Sequence, residues 1–210
     1  MTEWDYILNR AEYAPEEPDE LIIGIVKLLR KRKALKVLDL GCGAGRHVVY
    51  MAMQSFEAYG ADMSKTGLKK TKERLKANGL NASLVRCDMK LLPFINSSFD
   101  VVICLNTIYH QRFKEIKQTI GEIHRILKSR GLFIVNFHSK RSHRYGEGVK
   151  VEENTFMDMD GPEKGVLHHF VDEDELKRLF QSFRIIKKRL KEQMVKGWLR
   201  SRWEILSEKP

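Results

Sequence analysis

Three glycines at alternate positions are the residues of this sequence whose spacing points most directly to a bound ligand. Gly41, Gly43 and Gly45 follow a short apolar segment, 37–40, that is typical of a buried strand. They precede a segment, 46–55, with the pattern of a helix. Glycine permits a positive φ and the close approach of another group to the backbone. A glycine loop between a strand and a helix is where open α/β sheets bind nucleotides.

Acidic residues accompany the ends of the first three predicted strands. Asp39 lies inside the first strand, Asp62 ends the second strand, 58–62, and Asp88 lies in the third, 84–89. An acid at the end of the second strand accepts hydrogen bonds from ribose hydroxyls in nucleotide-binding folds, and we predict this role for Asp62. The alternative is that Asp62 only caps the helix that follows it.

The string Leu-Asp-Leu-Gly-Cys-Gly-Ala-Gly at residues 38–45 resembles motif I of class I S-adenosylmethionine (SAM) methyltransferases. Its G-x-G-x-G spacing differs from the G-x-G-x-x-G of dinucleotide folds, so an NAD-dependent dehydrogenase is a poor match. Residues 91–100, with Leu-Pro-Phe and Ser-Phe-Asp, resemble the methyltransferase type 11 subgroup. Residues 126–134 match the helix, turn and strand of the same family, and the resemblance covers residues 20–207.

This resemblance implies both a fold and a cofactor. The fold is a Rossmann-like, doubly wound α/β sheet of seven strands, mostly parallel with an antiparallel last strand and with helices on both faces. The cofactor is SAM, and the product is S-adenosylhomocysteine. The resemblance places the cofactor against Asp39, Gly41, Cys42, Gly43, Gly45, Asp62, Met63, Asp88, Met89, Leu105 and Asn106.

Candidate catalytic residues follow the fourth and fifth predicted strands. Tyr109 and His110 come after the fourth strand, where the family resemblance places the methyl group. No Asn/Asp-Pro-Pro-Tyr or Pro-Cys motif is present there, which disfavours amino methylation of adenine or glutamine and covalent attack on a pyrimidine. Tyr109 and His110 are therefore candidates for acceptor orientation or proton removal. A lone histidine is often structural, so the role of His110 as a base stays open.

Residues 138–170 form the least regular part of the sequence, and we interpret them as an insert that covers the acceptor. His138, directly after the fifth strand, is the insert residue predicted to touch the substrate. Four histidines lie in this stretch, but only His168 and His169 are close in sequence. Because adjacent residues rarely share one metal ion in a strand or helix, we expect no metal site.

The composition is typical of one α/β domain over residues 1–210, with an N-terminal arm and helix at 1–35. The sequence has no run of eighteen apolar residues, so no membrane span is expected. Cys42, Cys87 and Cys104 show no C-x-x-C spacing, and the first residues lack the pattern of a signal peptide. We therefore expect a cytoplasmic protein with reduced thiols, as a monomer or homodimer.

The net charge of +10 keeps nucleic acid open as a partner. Three basic clusters occupy residues 27–36, 65–76 and 184–202, on segments that also carry apolar stripes, which favours solvated faces. The favoured function is metal-independent transfer of the SAM methyl group, by SN2 displacement, to a small-molecule acceptor. The alternatives are an RNA or protein methyltransferase and a non-catalytic SAM-binding module. The sequence leaves the acceptor and the methylated element open.

Overall fold

A computed structural model describes residues 2–210. In chain order the elements are α1 (Glu3–Ile7), a 3₁₀ helix (Ala11–Tyr13), α2 (Glu20–Lys31), β1 (Lys36–Leu40), α3 (Arg46–Met53), β2 (Glu57–Asp62), α4 (Lys65–Ala77), β3 (Ser83–Arg86), β4 (Phe99–Cys104), α5 (Phe113–Ile126), β5 (Leu127–Ser139), β6 (Val149–Glu152), β7 (Thr155–Met157), β8 (Leu167–Val171), α6 (Glu173–Leu179), β9 (Arg184–Val195) and β10 (Trp198–Glu208). Within residues 2–210 no helix is long and apolar enough to cross a membrane.

Seven of the strands form the predicted sheet in the order β3-β2-β1-β4-β5-β10-β9. The first five pair in parallel, and β10 runs antiparallel to both of its neighbours. This arrangement confirms the predicted Rossmann-like fold. Because β1 lies between β2 and β4, the chain crosses the sheet between β3 and β4. The carboxyl end of β1 therefore lies at a topological switch point, where sheets of this kind bind ligands.

Helices cover both faces of the sheet, as predicted. The apolar side chains of α2, α3 and α4 pack on one face, and those of α5 and α6 pack on the other. The helical spacing of Ile116, Ile120 and Ile123 gives α5 the apolar stripe that it buries. β4 alternates between the two clusters and is buried along most of its length, as a central parallel strand should be.

Residues 138–170 differ from the prediction of an irregular segment. They contain β6, β7 and the start of β8, which form an antiparallel unit. β8 continues this unit into the main sheet, where His138 and Ser139 of β5 pair with Phe170 and Val171. The sequence hides these strands because they are short and bury polar residues, including Thr155 and His168. An alternation of apolar and polar residues is the signal for a strand, and buried polar residues remove it.

The N-terminal arm, residues 2–15, docks on α4. Asp5 accepts hydrogen bonds from Ser64 Oγ at 2.7 Å and from the Thr66 N–H, in the first turn of α4, at 3.1 Å. From the other side, Lys70 Nζ donates to the Leu8 carbonyl, and Arg74 donates to the carbonyls of Ala14 and Pro15. These contacts place α1 over the carboxyl ends of β1 and β2.

Candidate functional site

The carboxyl ends of the parallel strands open into a cleft of about 1280 Å³, which α1 and the insert line from opposite sides. Thirteen of the fourteen predicted site residues line it: Gly41, Cys42, Gly43, Gly45, Asp62, Met63, Asp88, Met89, Leu105, Asn106, Tyr109, His110 and His138. The structure therefore brings together residues from the carboxyl ends of five strands, β1 to β5, with His138 in β5. Asp39 is the exception.

The three loop glycines differ in what an added Cβ atom would contact. A Cβ on Gly45 would lie 2.4 Å from Thr71 Cγ2, and one on Gly41 would lie 2.2 Å from Thr107 Cγ2. Both positions are therefore needed for close packing of the loop against its neighbours. Gly43 has φ +52°, and a Cβ there would meet only Leu8 of the arm, at 3.4 Å. Gly43 is thus the glycine that leaves backbone open toward the cleft.

Asp62 holds the glycine loop against the start of α4. Its Oδ2 accepts a hydrogen bond from the Gly43 N–H at 2.8 Å, and its Oδ1 accepts one from the Ser64 N–H at 2.8 Å. The cap of α4 is Ser64, whose Oγ accepts from the Gly67 N–H at 3.0 Å. Burial raises the pKa of the Asp62 carboxyl despite these two donors. Asp62 lines the cleft, and each of its two oxygens can accept one further hydrogen bond.

Asp39 does not line the cleft, although the sequence predicted that it would touch the cofactor. Its side chain is 3% exposed, and its Oδ1 lies 3.7 Å from His47 Nδ1 of α3. Its Oδ2 has no hydrogen-bond partner among residues 2–210. No hydrogen bond joins this carboxylate to the glycine loop within the same residues. Asp39 lies beneath the loop as a buried acid that needs a positive group nearby.

The loops after β3 and β4 hold two further predicted residues. β3 ends at Arg86 rather than Met89, so Asp88 and Met89 lie in a loop, where Asp88 Oδ1 accepts from the Lys90 N–H at 2.9 Å. After β4, Asn106 takes a left-handed backbone with φ +57°. Its N–H donates to Asn136 Oδ1 at 2.7 Å, and its Oδ1 accepts from Asn136 Nδ2 at 2.7 Å. This reciprocal pair fixes the strand end at the cleft.

Aromatic and imidazole rings line the acceptor end of the cleft. The His110 ring contacts Trp4 of α1, Tyr109 and His168 of β8, with ring centroids 4.7, 4.5 and 4.8 Å away. Tyr109 also contacts His138, at 4.0 Å. The structure thus brings the three predicted catalytic residues together and adds Trp4 and His168 from the arm and the insert.

Burial keeps these groups uncharged. Burial lowers the pKa of His110 to about 3. Burial and His168 hold the pKa of His138 well below its usual value, and burial raises the pKa of Tyr109. His110 Nδ1 lies 3.0 Å from the Leu167 carbonyl oxygen, which can only accept, so Nδ1 carries the proton. His110 Nε2 is then left with a lone pair.

Sequence reasoning missed an acidic pair of the insert. Asp158 and Glu163 line the cleft beside Arg144 and His168, and Arg144 contacts both carboxylates. These acids carry no helical or strand periodicity, and only the fold of the insert brings them to His168. His169 faces the other way, where its Nδ1 lies 2.7 Å from Thr155 Oγ1. Adjacent histidines on β8 therefore belong to different environments.

The sequence model of a methyltransferase domain family, described as "Methyltransferase domain", matches residues 31–184. The chain belongs to this family. It is a SAM-dependent methyltransferase domain, and SAM is the cofactor that the family uses. The matched residues contain the glycine loop, Asp62, Asp88 and the ring cluster of Tyr109, His110, His138 and His168, whereas Trp4 of the arm lies outside them.

Relatives of this methyltransferase domain agree with the assignment. An uncharacterized protein of Methanocaldococcus jannaschii is 35% identical over 59% of this chain and 52% of its own length. A glycine/sarcosine N-methyltransferase of Halorhodospira halochloris is 29% identical over 72% of this chain and 60% of its own. The matches thus span only half to three fifths of these relatives. A SAM-dependent methyltransferase from Methanosarcina mazei shares the fold, with a TM-score of 0.77, 23% identity and coverage of 92% and 98%.

The cleft of the methyltransferase domain fits SAM on its own chemistry. SAM carries two positive charges, on the sulfonium and the ammonium, and the cleft lining includes the carboxylates of Asp62 and Asp88. Gly43 leaves room for a group against the backbone. Asp62 presents a carboxylate at the end of β2, where nucleotide folds bind ribose. The Cys42 thiol, whose pKa burial raises, stays neutral and adds no charge.

Proposed function

We propose that this protein transfers the methyl group of SAM to a nucleophilic atom of a small-molecule acceptor. When bound, SAM supplies a methyl carbon that is electrophilic because it is attached to a sulfonium. The chain's own contribution is to bind the donor along the glycine loop, to orient the acceptor in line behind the methyl carbon, and to exclude water. Positioning of this kind supplies a large part of the catalysis in a displacement between two bound reactants.

The observation that carries the choice of a small molecule is the double cover over the acceptor end. His110 contacts Trp4 from the arm and His168 from the insert, so both segments pack against the same ring. A site that is covered by both the arm and the insert suits an acceptor small enough to be enclosed completely. A polymer needs an open groove through which its chain can leave. The glycine/sarcosine N-methyltransferase among the relatives has a small acceptor by name.

Within this proposal His110 orients the acceptor. The Leu167 carbonyl fixes the proton on Nδ1, so Nε2 accepts a hydrogen bond from an N–H or O–H of the acceptor. Tyr109 and His138, in ring contact at 4.0 Å, form the neighbouring wall. Proton removal by His110 remains the weaker of the two roles, because an imidazole surrounded by apolar and cationic groups is a poor base.

Many cations of the three basic clusters are engaged in contacts within the protein. On α4, Lys70 and Arg74 bind arm carbonyls. On the β9–β10 hairpin, five cations pair with carboxylates: Arg184 with Glu208, Lys188 with Glu173, Arg189 with Glu204, Lys191 with Glu20 and Arg202 with Asp19. The net charge is therefore a weaker argument for nucleic acid than its size indicates.

Methyl-labelled SAM tests the proposal directly. The purified chain is incubated with a desalted extract that has been re-supplied with its own small-molecule fraction, and label is counted in the small-molecule, RNA and protein pools. We expect counts in the small-molecule pool, and mass spectrometry of that pool then identifies the product. Nuclease-sensitive counts would instead establish an RNA methyltransferase. SAM binding without label in any pool would support a non-catalytic module.

A further inference from the structure

Three potential metal ligands converge on the insert side of the cleft. His168, Asp158 and Glu163 each offer one donor atom, and these atoms all lie within 4.8 Å of one another. His168 Nε2 is 3.4 Å from Asp158 Oδ2 and 3.4 Å from Glu163 Oε2. The three residues come from β8 and from the loop between β7 and β8, so the fold of the insert creates the cluster.

His168 lacks the partners that a buried imidazole needs. Its side chain is 2% exposed, and among residues 2–210 neither ring nitrogen has a hydrogen-bond partner. An unsatisfied polar group of this kind costs about 1–3 kcal/mol, so native proteins rarely keep one without a reason. The ring points Nε2 between two carboxylates but outside hydrogen-bond geometry. A cation seated among the three donors would satisfy the nitrogen, while Arg144 already donates to both carboxylate oxygens.

The two separations between His168 Nε2 and the carboxylate oxygens are compatible with tetrahedral coordination. Zinc binds histidine nitrogen and carboxylate oxygen at about 2.1 Å, which gives about 3.4 Å between neighbouring ligands of a tetrahedron. An octahedron with the same bonds would bring neighbouring ligands to about 3.0 Å. Both separations from Nε2 are 3.4 Å, and the two carboxylate oxygens lie within 4.8 Å of each other. A set of one imidazole and two carboxylates is also a ligand set that zinc accepts in proteins.

Arg144 does not complete the charge balance of this cluster. Its guanidinium contacts Asp158 and lies 3.2 Å from Glu163 Oε2. Two carboxylates and one guanidinium leave a formal charge of −1 when His168 is neutral, which is the form that binds a metal. Arg144 contacts the same oxygens, Asp158 Oδ2 and Glu163 Oε2, that face His168, and it would hold both carboxylates in place as hydrogen-bonding residues around metal ligands commonly do.

We propose that His168, Asp158 and Glu163 bind one zinc ion at the edge of the acceptor site. The fourth tetrahedral position would face the cleft, which all three residues line beside His110 and His138. An oxygen or nitrogen of the acceptor is the ligand that this position suits. The ion would bind the acceptor and hold the insert residues together. SAM itself needs no metal, because its methyl carbon is already electrophilic. This proposal departs from the expectation of a metal-free protein, which considered only histidine spacing.

Zinc binding to the full-length chain tests the site without any methyl acceptor. The protein is treated with a chelator, dialysed, and titrated with Zn²⁺ and with Mg²⁺ by calorimetry. We expect one Zn²⁺ per chain and at least 100-fold weaker binding of Mg²⁺. Addition of Co²⁺ in place of zinc is expected to give the intense visible absorption of a tetrahedral complex.

Variants assign the ion to these residues. We expect His168→Ala, Asp158→Asn and Glu163→Gln each to weaken Zn²⁺ binding at least 10-fold. The matched controls His143→Ala and Asp160→Asn, which also change residues of the cleft lining, should keep the wild-type affinity. If His168→Ala fails to fold, the two carboxylate variants decide.

Two outcomes would overturn the site. One is a wild-type chain that binds no zinc, which would mean that Arg144 alone satisfies the acids. The other is an equal loss of zinc affinity in the His143 control and in the His168 variant. Neither outcome bears on methyl transfer, because the titration contains no SAM and no acceptor.

Discussion

Gly43 and Gly79 share a left-handed backbone but differ in what their missing side chain leaves open. Gly43 has φ +52° and faces the cleft, with Leu8 as the nearest neighbour of an added Cβ. Gly79 has φ +63° at the end of α4, and nothing lies within 4 Å of an added Cβ. Substitutions at these two positions therefore distinguish the loss of stability caused by a left-handed backbone from the loss of cofactor affinity.

We expect Gly43→Val to abolish SAM binding, with a dissociation constant raised at least 100-fold, because the side chain would fill the space against the loop. The left-handed backbone adds about 1–2 kcal/mol of destabilisation to any residue other than glycine. Gly79→Val carries the same backbone cost without touching the cleft, so it should keep its SAM affinity. Calorimetry gives the affinities and thermal unfolding gives the stabilities. Retained SAM affinity in Gly43→Val would refute the assignment of this loop.

At the scale of elements, α4 joins the arm to the glycine loop. Arg74 donates to Ala14 and Pro15 in the arm and to the Ala44 carbonyl in the loop. Lys70 holds the Leu8 and Asn9 carbonyls. The arm therefore covers the cleft because one face of α4 carries long cations at a spacing of four residues. The sequence alone offered these residues as a possible nucleic-acid surface.

We expect Arg74→Ala to loosen the arm and to weaken SAM binding about 10-fold, which corresponds to roughly 1.4 kcal/mol lost from hydrogen bonds worth about 0.5–1.5 kcal/mol each. Hydrogen exchange should rise in residues 3–14 and stay unchanged in the central strands. Lys72→Ala removes an equal charge from an exposed position of the same helix and should change neither quantity. A similar loss of SAM affinity in both variants would indicate a general charge effect instead.

Docking of the arm also has a pH dependence. The Thr2 N–H, the Thr66 N–H and the Ser64 hydroxyl hold the pKa of Asp5 well below its usual value of 3.8. A carboxyl whose pKa is depressed by folding stabilises the native state above the unfolded pKa, and this contribution is lost as the pH falls below about 4. We expect Asp5→Asn to lower the melting temperature at pH 6, and the difference from wild type to shrink between pH 4 and pH 2.5. A constant difference across this range would contradict the role of the charge.

At the scale of the whole molecule, the sequence predicts the parts of the cleft that neighbouring residues form. It does not predict the parts that distant segments form together. The cofactor half of the cleft consists of loops that each follow a strand, so Gly43 and Asp62 could be assigned from neighbouring residues. The acceptor half joins Trp4, His110 and His168, which lie far apart in sequence. No periodicity links these three. The insert strands were missed for a related reason, because their buried positions hold polar residues that pair only in the folded chain.

Ion pairs join the last two strands to both ends of α2. Arg202 and Lys191 of the last two strands pair with Asp19 and Glu20 at the start of α2, and Glu208 pairs with Arg32 at its end. The carboxylates of Glu208 and Asp19 are largely buried, whereas the Lys191–Glu20 pair is exposed and of a kind that contributes a median of about 0–1 kcal/mol. These pairs matter for function because a cation that is paired with a carboxylate is less available to bind nucleic acid. We therefore look for ligand binding in the cleft.

Ligand-induced stabilisation of the whole fold tests the specificity of that cleft. A ligand at 100 times its dissociation constant stabilises the native state by about 2.7 kcal/mol, which corresponds to roughly 5–11 °C in the melting temperature of a domain of this size. We expect SAM and S-adenosylhomocysteine to produce such a shift. NAD should produce none, because the G-x-G-x-G loop places Gly45 against Thr71 rather than against a pyrophosphate. Differential scanning fluorimetry across a concentration series of each ligand measures the effect. An equal shift with NAD would mean that the spacing of the glycines does not select the ligand.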